Sequence, residues 1–280
     1  MERLIFRKMH GLGNDFVVLD ARKSAPALSC DRIVALADRR TGIGCDQLLV
    51  MEPSAKADVF MRIYNHDGSE ASACGNGTRC IASLVMAETK KRKVTIETKA
   101  GFLDCHTSPL GIAIDLGPPS FDWRDVPLAE ERNTLHLGLK VGALSDPVAL
   151  SVGNPHAVFF VADAEVVDLA RLGPKIETYF LFPDRVNVSV VQRLSKKDLR
   201  LRVWERGAGI TRACGTAAVA ALAAAHKRGL TGKTAVVHMD GGKLMVEWRA
   251  DEHLILAGPV ETSFVGEAAW PAPARKESVA

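Results

Sequence analysis

Two cysteines of this 280-residue chain stand in similar words, Ala73-Cys74-Gly75-Asn76 and, 140 residues later, Ala213-Cys214-Gly215-Thr216. Each word leads into a stretch with helical spacing, which places a thiol beside free backbone N–H groups at the positive end of a helix dipole. That setting favours anions: it depresses the thiol pKa and offers donors to a carboxylate alongside. An ordinary thiol with a pKa near 8.5 is only about 3% ionised at pH 7, while one at about 7 is half ionised. Taken singly, such a cysteine reads as a core residue, with Asn76 and Thr216 serving as helix N-caps. Taken as equivalents in a duplicated unit, Cys74 and Cys214 predict a catalytic pair that meets in one cleft if the copies face each other. Opposed thiolate and thiol suit inversion at carbon, one base taking a proton from one face and one acid returning a proton to the other. Helix N-termini would stabilise the carboxylate as it gains enolate character. No lysine or phosphate loop stands beside these words, and Gly11-x-Gly13 and Gly42-x-Gly44 lack the third glycine of a dinucleotide fingerprint. No cofactor is expected.

The elements that must position these thiols follow from the repeat. At the same offset of 140, Arg62-Ile63-Tyr64-Asn65 falls on Arg202-Val203-Trp204-Glu205, Gly13-Asn14 on Gly153-Asn154, Gln47 on Asn187, and Val94-Thr95-Ile96 on Thr234-Ala235-Val236. Leu116-Gly117-Pro118 meets Ala257-Gly258-Pro259 at 141, so one residue has been inserted. Strands are predicted at 59–64, 94–98, 112–116, 157–161, 199–204, 234–238 and 244–248. Helices follow the two cysteine words, the second ending at His226-Lys227-Arg228 with Gly229 as its cap. Its alanine-rich run, apolar on every face, implies burial on all sides. The expected fold is α+β: two pseudo-symmetric domains from an internal duplication, each a mixed β-sheet or barrel wrapped around a central helix. The domains are residues 1–118, joined by the C-terminal segment 262–280, and 119–261. GPPSFDWRDVPLAEERN (117–133) is read as a linker and WPAPARKESVA (270–280) as a frayed tail.

Composition narrows the partners. There are 36 Lys and Arg against 33 Asp and Glu, a net charge of +3, which gives no reason to expect nucleic acid or an anionic membrane. No apolar run approaches the ~18 residues of a membrane span, and the N-terminus lacks a signal-peptide core, so a cytoplasmic protein is expected. Six cysteines without a CxxC pair argue for thiols, with neither a disulfide framework nor a metal site. Cys30, Cys45, Cys80 and Cys105 are read as core residues, and Lys90-Lys91-Arg92-Lys93 as a solvated turn. His156 has two readings, a group that polarises the site or a hydrogen-bonded structural histidine.

HGLGNDFVVLD (10–20), RRTGIGCDQLL (39–49), RIYNHDGSEASACGNGTRC (62–80), GNPHAVFFV (153–161), RVNVSVV (185–191) and VWERGAGITRACGTAA (203–218) together resemble the diaminopimelate epimerase family. The resemblance implies cofactor-independent interconversion of LL- and meso-2,6-diaminopimelate, a small-molecule amino-acid substrate and a homodimer. It implies that Cys74 and Cys214 are the acid/base residues and that Gly75-Asn76 and Gly215-Thr216 hold the reacting carboxylate through backbone amides. Asn14, Gln47, Asn65, Asn154, Asn187, Glu205 and Arg206 match positions that bind the substrate's amino and carboxyl groups. Departures are modest: Cys45 where alanine or phenylalanine is usual, Ala157 for cysteine and Ala217 for glycine. The alternatives are a racemase of histidine, proline or hydroxyproline on the same fold, or a non-catalytic thiol-redox or carboxylate-binding protein. Retention of Glu205-Arg206 and the asparagines favours the substrate with two amino-acid ends.

Overall fold

The computed structural model describes residues 3–24 and 27–269, so the expected frayed tail lies outside the described residues. The chain forms two compact units, one of residues up to 114 with the segment from 259 onward, the other of residues 115–258. Among the described residues four helices, α1 (Cys30–Ala37), α2 (Gly75–Thr89), α3 (Leu169–Glu177) and α4 (Gly215–Lys227), lie among strands. The fold is α+β.

In the first unit, Asn14–Asp20 runs parallel to Gln47–Glu52, which pairs antiparallel with Val59–Asn65, which runs parallel to Lys93–Thr98. Gly101–Ser108 follows as an antiparallel neighbour, and Arg3–Gly11 pairs antiparallel with both Asn14–Asp20 and Glu261–Ala269. The second unit repeats the order. Pro155–Val161 runs parallel to Asn187–Arg193, antiparallel pairing leads to Asp198–Glu205, and a parallel step leads to Thr234–Met239. Phe16 faces Gln47 in one unit and His156 faces Asn187 in the other, so the 140-residue offset holds at this register. It changes after the helices. Lys93–Thr98 pairs residue for residue with 101–106 as Thr234–Met239 does with 242–247, an offset of 141. The inserted residue therefore lies between α4 and Thr234, and Val94 corresponds to Ala235, one place from the correspondence read in the sequence.

The alanines explain how a helix can sit inside a sheet. Ala217–Ala225 are all fully buried, and every main strand of the second unit packs against α4. Short side chains let backbone approach from all sides at interior packing density. The helix ends in a Schellman motif: Gly229 N–H donates to His226 O at 2.9 Å and Leu230 N–H to Ala225 O at 2.8 Å. Gly229 takes φ +69°, so the cap itself is Arg228 and the glycine is the left-handed residue after it.

Several expectations change. Segment 117–133 is no free linker, because Val126 and Leu128 are buried in the core of the second unit and Trp123 packs on it. Its apolar residues alternate with the prolines and charges that suggested a linker. Cys45, Cys80 and Cys105 are buried, but Cys30 is exposed, standing as the first residue of α1, a short helix with only Ile33, Leu36 and Ala37 buried. Lys90–Lys93 is exposed, with Lys91 bonded to Asp58 at 2.6 Å. No helix among the described residues is long and apolar enough to cross a membrane.

Because α4 has no free face, Ala221→Leu should overpack it and lower stability by about 1–3 kcal/mol. A urea midpoint unchanged from wild type would show that the helix has room the packing denies.

Candidate active site

In each unit the predicted residues gather where strand ends meet a helix start. Asn14 begins one strand, Gln47 begins its parallel neighbour and Asn65 ends the next. Asn154 precedes Pro155–Val161, Asn187 begins the parallel neighbour and Glu205 ends the next. Both cysteines are the N-cap residues themselves, in extended conformation (φ −153° at Cys74, −135° at Cys214). Asn76 and Thr216, expected as caps, stand two residues further on, at the second helical position. The N–H groups of Gly75, Asn76, Gly215 and Thr216 thus belong to the first helical turn and have no intrahelical acceptor.

Around Cys74 the polar groups form a directed chain. Arg79 Nη2 donates to Asn76 Oδ1 (2.8 Å), Asn76 Nδ2 to Asn14 Oδ1 (3.2 Å), and Asn14 Nδ2 to Asp46 Oδ2 (2.8 Å). The half-buried Cys74 Sγ accepts from Gly77 N–H at 3.3 Å and lies 4.0 Å from Asn14 Oδ1. A Cβ at Gly77 would stand 3.0 Å from Leu49 Cδ1, so the glycine lets the helix start approach the sheet. Gln47 Nε2 donates to Asn65 Oδ1 (2.9 Å), and Asn65 Nδ2 to Ser69 Oγ (3.0 Å).

Around Cys214 the same geometry carries different groups. His156 Nε2 bonds Asn154 Oδ1 at 3.0 Å, Asn154 Nδ2 donates to Thr216 Oγ1 at 3.4 Å, and Thr216 Oγ1 lies 3.4 Å from Cys214 Sγ. Asn187 Nδ2 donates to Pro155 O and its Oδ1 accepts from Arg206 N–H, both at 2.9 Å, which fixes the backbone at Arg206. The exposed Arg206 side chain donates to Asp184 O at 3.0 Å and makes no ion pair among the described residues. Burial pushes the Glu205 carboxyl up, and Thr211 Oγ1 donates to it. Burial, reinforced by Glu205, also pushes the Cys214 thiol well above its ordinary value. The expected depression of this thiol's pKa is therefore overturned at Cys214, where enclosure outweighs the helix terminus. His156 is fully buried and pushed down to about 3, first by burial and then by the Arg206 charge, so it is neutral.

Two residues of these networks were not singled out from sequence. Arg79 is fully buried within the quoted 62–80 motif, three positions after Asn76, a spacing that places both on one helix face. Glu177 is a buried carboxylate at the end of α3, accepting from Gly207 N–H (2.9 Å) and Trp204 Nε1–H (2.6 Å), and so ties down the turn after Arg206. No sequence signal marks Glu177, since α3 lies outside the repeat words. Among the described residues no group of three or more His, Cys, Asp or Glu side chains is placed to hold a metal.

Comparison with known proteins follows the same division. The family described as diaminopimelate epimerase matches residues 6–121 and again 148–263. A protein named diaminopimelate epimerase from Rhodospirillum centenum is 53% identical over 265 residues, covering 94% of this chain and 91% of that one. Among solved structures, the Bacillus anthracis phenazine biosynthesis protein of the PhzF family superposes with a TM-score of 0.71 at 20% identity, covering 96% of this chain and 100% of its own. A hydroxyproline epimerase from Agrobacterium vitis, solved with trans-4-hydroxy-L-proline, superposes at 0.65 with 14% identity, covering 97% and 94%. At those identities the structures show a shared fold.

His156 yields a pH prediction. Its folded pKa lies below the unfolded value of about 6.5, so the unfolded state binds the extra proton first and stability falls as pH drops from about 6.5 towards 3. The slope from this one group approaches about 1.4 kcal/mol per pH unit. His156→Gln should remove that component from denaturant midpoints measured between pH 6.5 and 4, and a variant with an unaltered slope would contradict a buried neutral imidazole.

Proposed function

The chain belongs to the diaminopimelate epimerase family, and on that premise we propose that it interconverts LL- and meso-2,6-diaminopimelate by two-base chemistry. The observation that carries the reading is that both cysteines cap the start of a helix, each followed by two helical N–H groups without intrahelical acceptors. One thiolate removes the α-proton, the helix-start amides hold the carboxylate as charge moves onto it, and the second thiol returns a proton to the opposite face. In the reverse direction the thiols exchange roles. Gly75, Asn76, Gly215 and Thr216 are assigned to the reacting carboxylate, and Asn14, Gln47, Asn65, Asn154 and Asn187 to the amino and carboxyl groups. Arg206 clamps the distal carboxylate and Glu205 accepts from an ammonium. Sites that require such hydrogen bonds reject analogues lacking the partner groups by as much as about 10⁴–10⁵-fold.

The proposal extends to organisation. The two domains are assigned as 1–118 with 262–280, and 119–261, and the enzyme works in the cytoplasm as a homodimer. Support for self-association comes from the outward face of the Arg3–Gly11 and Glu261–Ala269 pair, where Ile5 (69% exposed) and Val265 (62%) are diagonal neighbours.

The decisive experiment is α-proton exchange of LL-diaminopimelate in deuterated water. Exchange with formation of the meso isomer is expected, and Cys74→Ser and Cys214→Ser should each slow it by about 10²–10⁴-fold with folding intact. Exchange of proline, hydroxyproline or histidine with none of LL-diaminopimelate would overturn the substrate, and wild-type rates in either serine variant would overturn the two-base chemistry.

A further inference from the structure

Arg79 is the largest side chain buried without any exposure, yet no carboxylate pairs with it among the described residues. A buried cation is costly unless its charge is answered. Of its three guanidinium nitrogens, only Nη2 has a hydrogen-bond acceptor, Asn76 Oδ1 at 2.8 Å, while Nε and Nη1 have none. The backbone is shaped to admit it, since a Cβ on Gly11 would stand 3.0 Å from Arg79 Nη2 and 3.4 Å from Asn76 Cβ. The ionisable groups whose negative forms would answer the charge are three thiols, Cys80, Cys74 and Cys105. Burial holds two of them neutral, pushing Cys80 and Cys105 each up to about 12. Buried residues on the strands packed against α2 include Met9, Met61, Ile63, Val94 and Ile96, none of them charged. The charged groups nearest the far end of the chain, Asp46, Asp15, Arg39 and Lys8, are bonded to one another. Only the half-buried Cys74 is left to serve as the anion.

We propose that Arg79 is a positioning residue that holds Cys74 as a thiolate in the resting protein and orients the amides beside it. Its hydrogen bond claims Asn76 Oδ1, which turns Asn76 Nδ2 to Asn14 and leaves Asn14 Nδ2 for Asp46. Asn14 Oδ1 is thereby directed to the sulfur. Sγ then has a donor for its anionic form, Gly77 N–H at 3.3 Å, and an acceptor for its protonated form, Asn14 Oδ1 at 4.0 Å. A group that alternates between base and acid needs both. The second unit lacks the device, because Val219 stands at the position matching Arg79.

The inference rests on the two-thiol reading only in the use made of the thiolate, and its test needs no turnover. Iodoacetamide labelling of the full chain, followed across pH with the Cys74 and Cys214 peptides quantified separately, gives a midpoint for each thiol. Accessibility changes the plateau, while ionisation changes the midpoint. Wild-type Cys74 is expected to titrate below the ordinary ~8.5 and Cys214 above it. Arg79→Met should raise the Cys74 midpoint by about one unit or more, a tenfold loss of labelling below it, with the Cys214 midpoint unmoved. Arg79→Lys, which keeps the charge, should restore most of the shift. A wild-type Cys74 midpoint at or above the ordinary value overturns the proposal even if Arg79→Met does not fold. So does a folded Arg79→Met protein whose Cys74 midpoint is unchanged. Labelling as expected without proton exchange would instead overturn the enzymatic reading alone.

Discussion

A helix that begins among strands must find acceptors for its first N–H groups, and the polar contacts around each cysteine follow from that requirement. At α2, Cys74 Sγ meets part of it by accepting from Gly77 N–H at 3.3 Å. At α4 the cysteine side chain makes no cap hydrogen bond, and its Sγ lies 3.4 Å from Thr216 Oγ1. The N–H groups of the first two helical residues in each case have no intrahelical acceptor. Short alanine side chains let strands enclose α4, so its start lies within the packing of the unit.

Duplication supplied this arrangement twice and substitution then divided the labour. Asn76 and Thr216 occupy matching positions, as do Asn65 and Glu205, Phe16 and His156, Gly11 and Ser151, and Arg79 and Val219. Backbone register is kept through the first strands, so each pair of positions sees a similar framework with different chemistry. The first unit carries a buried guanidinium behind its thiol. The second carries a carboxyl whose burial pushes it towards the protonated form and a neutral imidazole behind an asparagine. Equivalent thiols thus stand in inequivalent electrostatic surroundings.

Features written in periodic residue patterns were legible in the sequence. The alanine run gave a helix buried on every side, and the repeated words gave the α+β duplication and the strands beside each site. Features decided by a few residues in three dimensions were not. Helices α1 and α3 are eight and nine residues long and lie outside the repeated words. The inserted residue sits in a loop, where pairing register locates it and weak sequence identity does not. Segment 117–133 reads as a linker by its prolines and charges, though a few apolar side chains suffice to bury it. Arg79 stood inside a motif quoted for its glycine and cysteine, and only its burial marks it as part of the site.

The sharpest difference between sequence and structure concerns which force sets a thiol's ionisation. A helix terminus contributes about 0.3–1 kcal/mol, up to about 2 in partly buried geometry, and 1.36 kcal/mol corresponds to one pKa unit. The terminus therefore supplies at most about one and a half units of depression. Full desolvation raises a thiol by as much as about 3–5 units. An enclosed cysteine at a helix start is accordingly a neutral acid, and Cys214, only 6% exposed and next to Glu205, has that character. Cys74 differs in its surroundings, with partial exposure and the buried Arg79 guanidinium within its own unit. Two thiols with the same helix dipole therefore stand in different surroundings, one enclosed beside a carboxyl and the other partly exposed in the unit that holds a buried guanidinium.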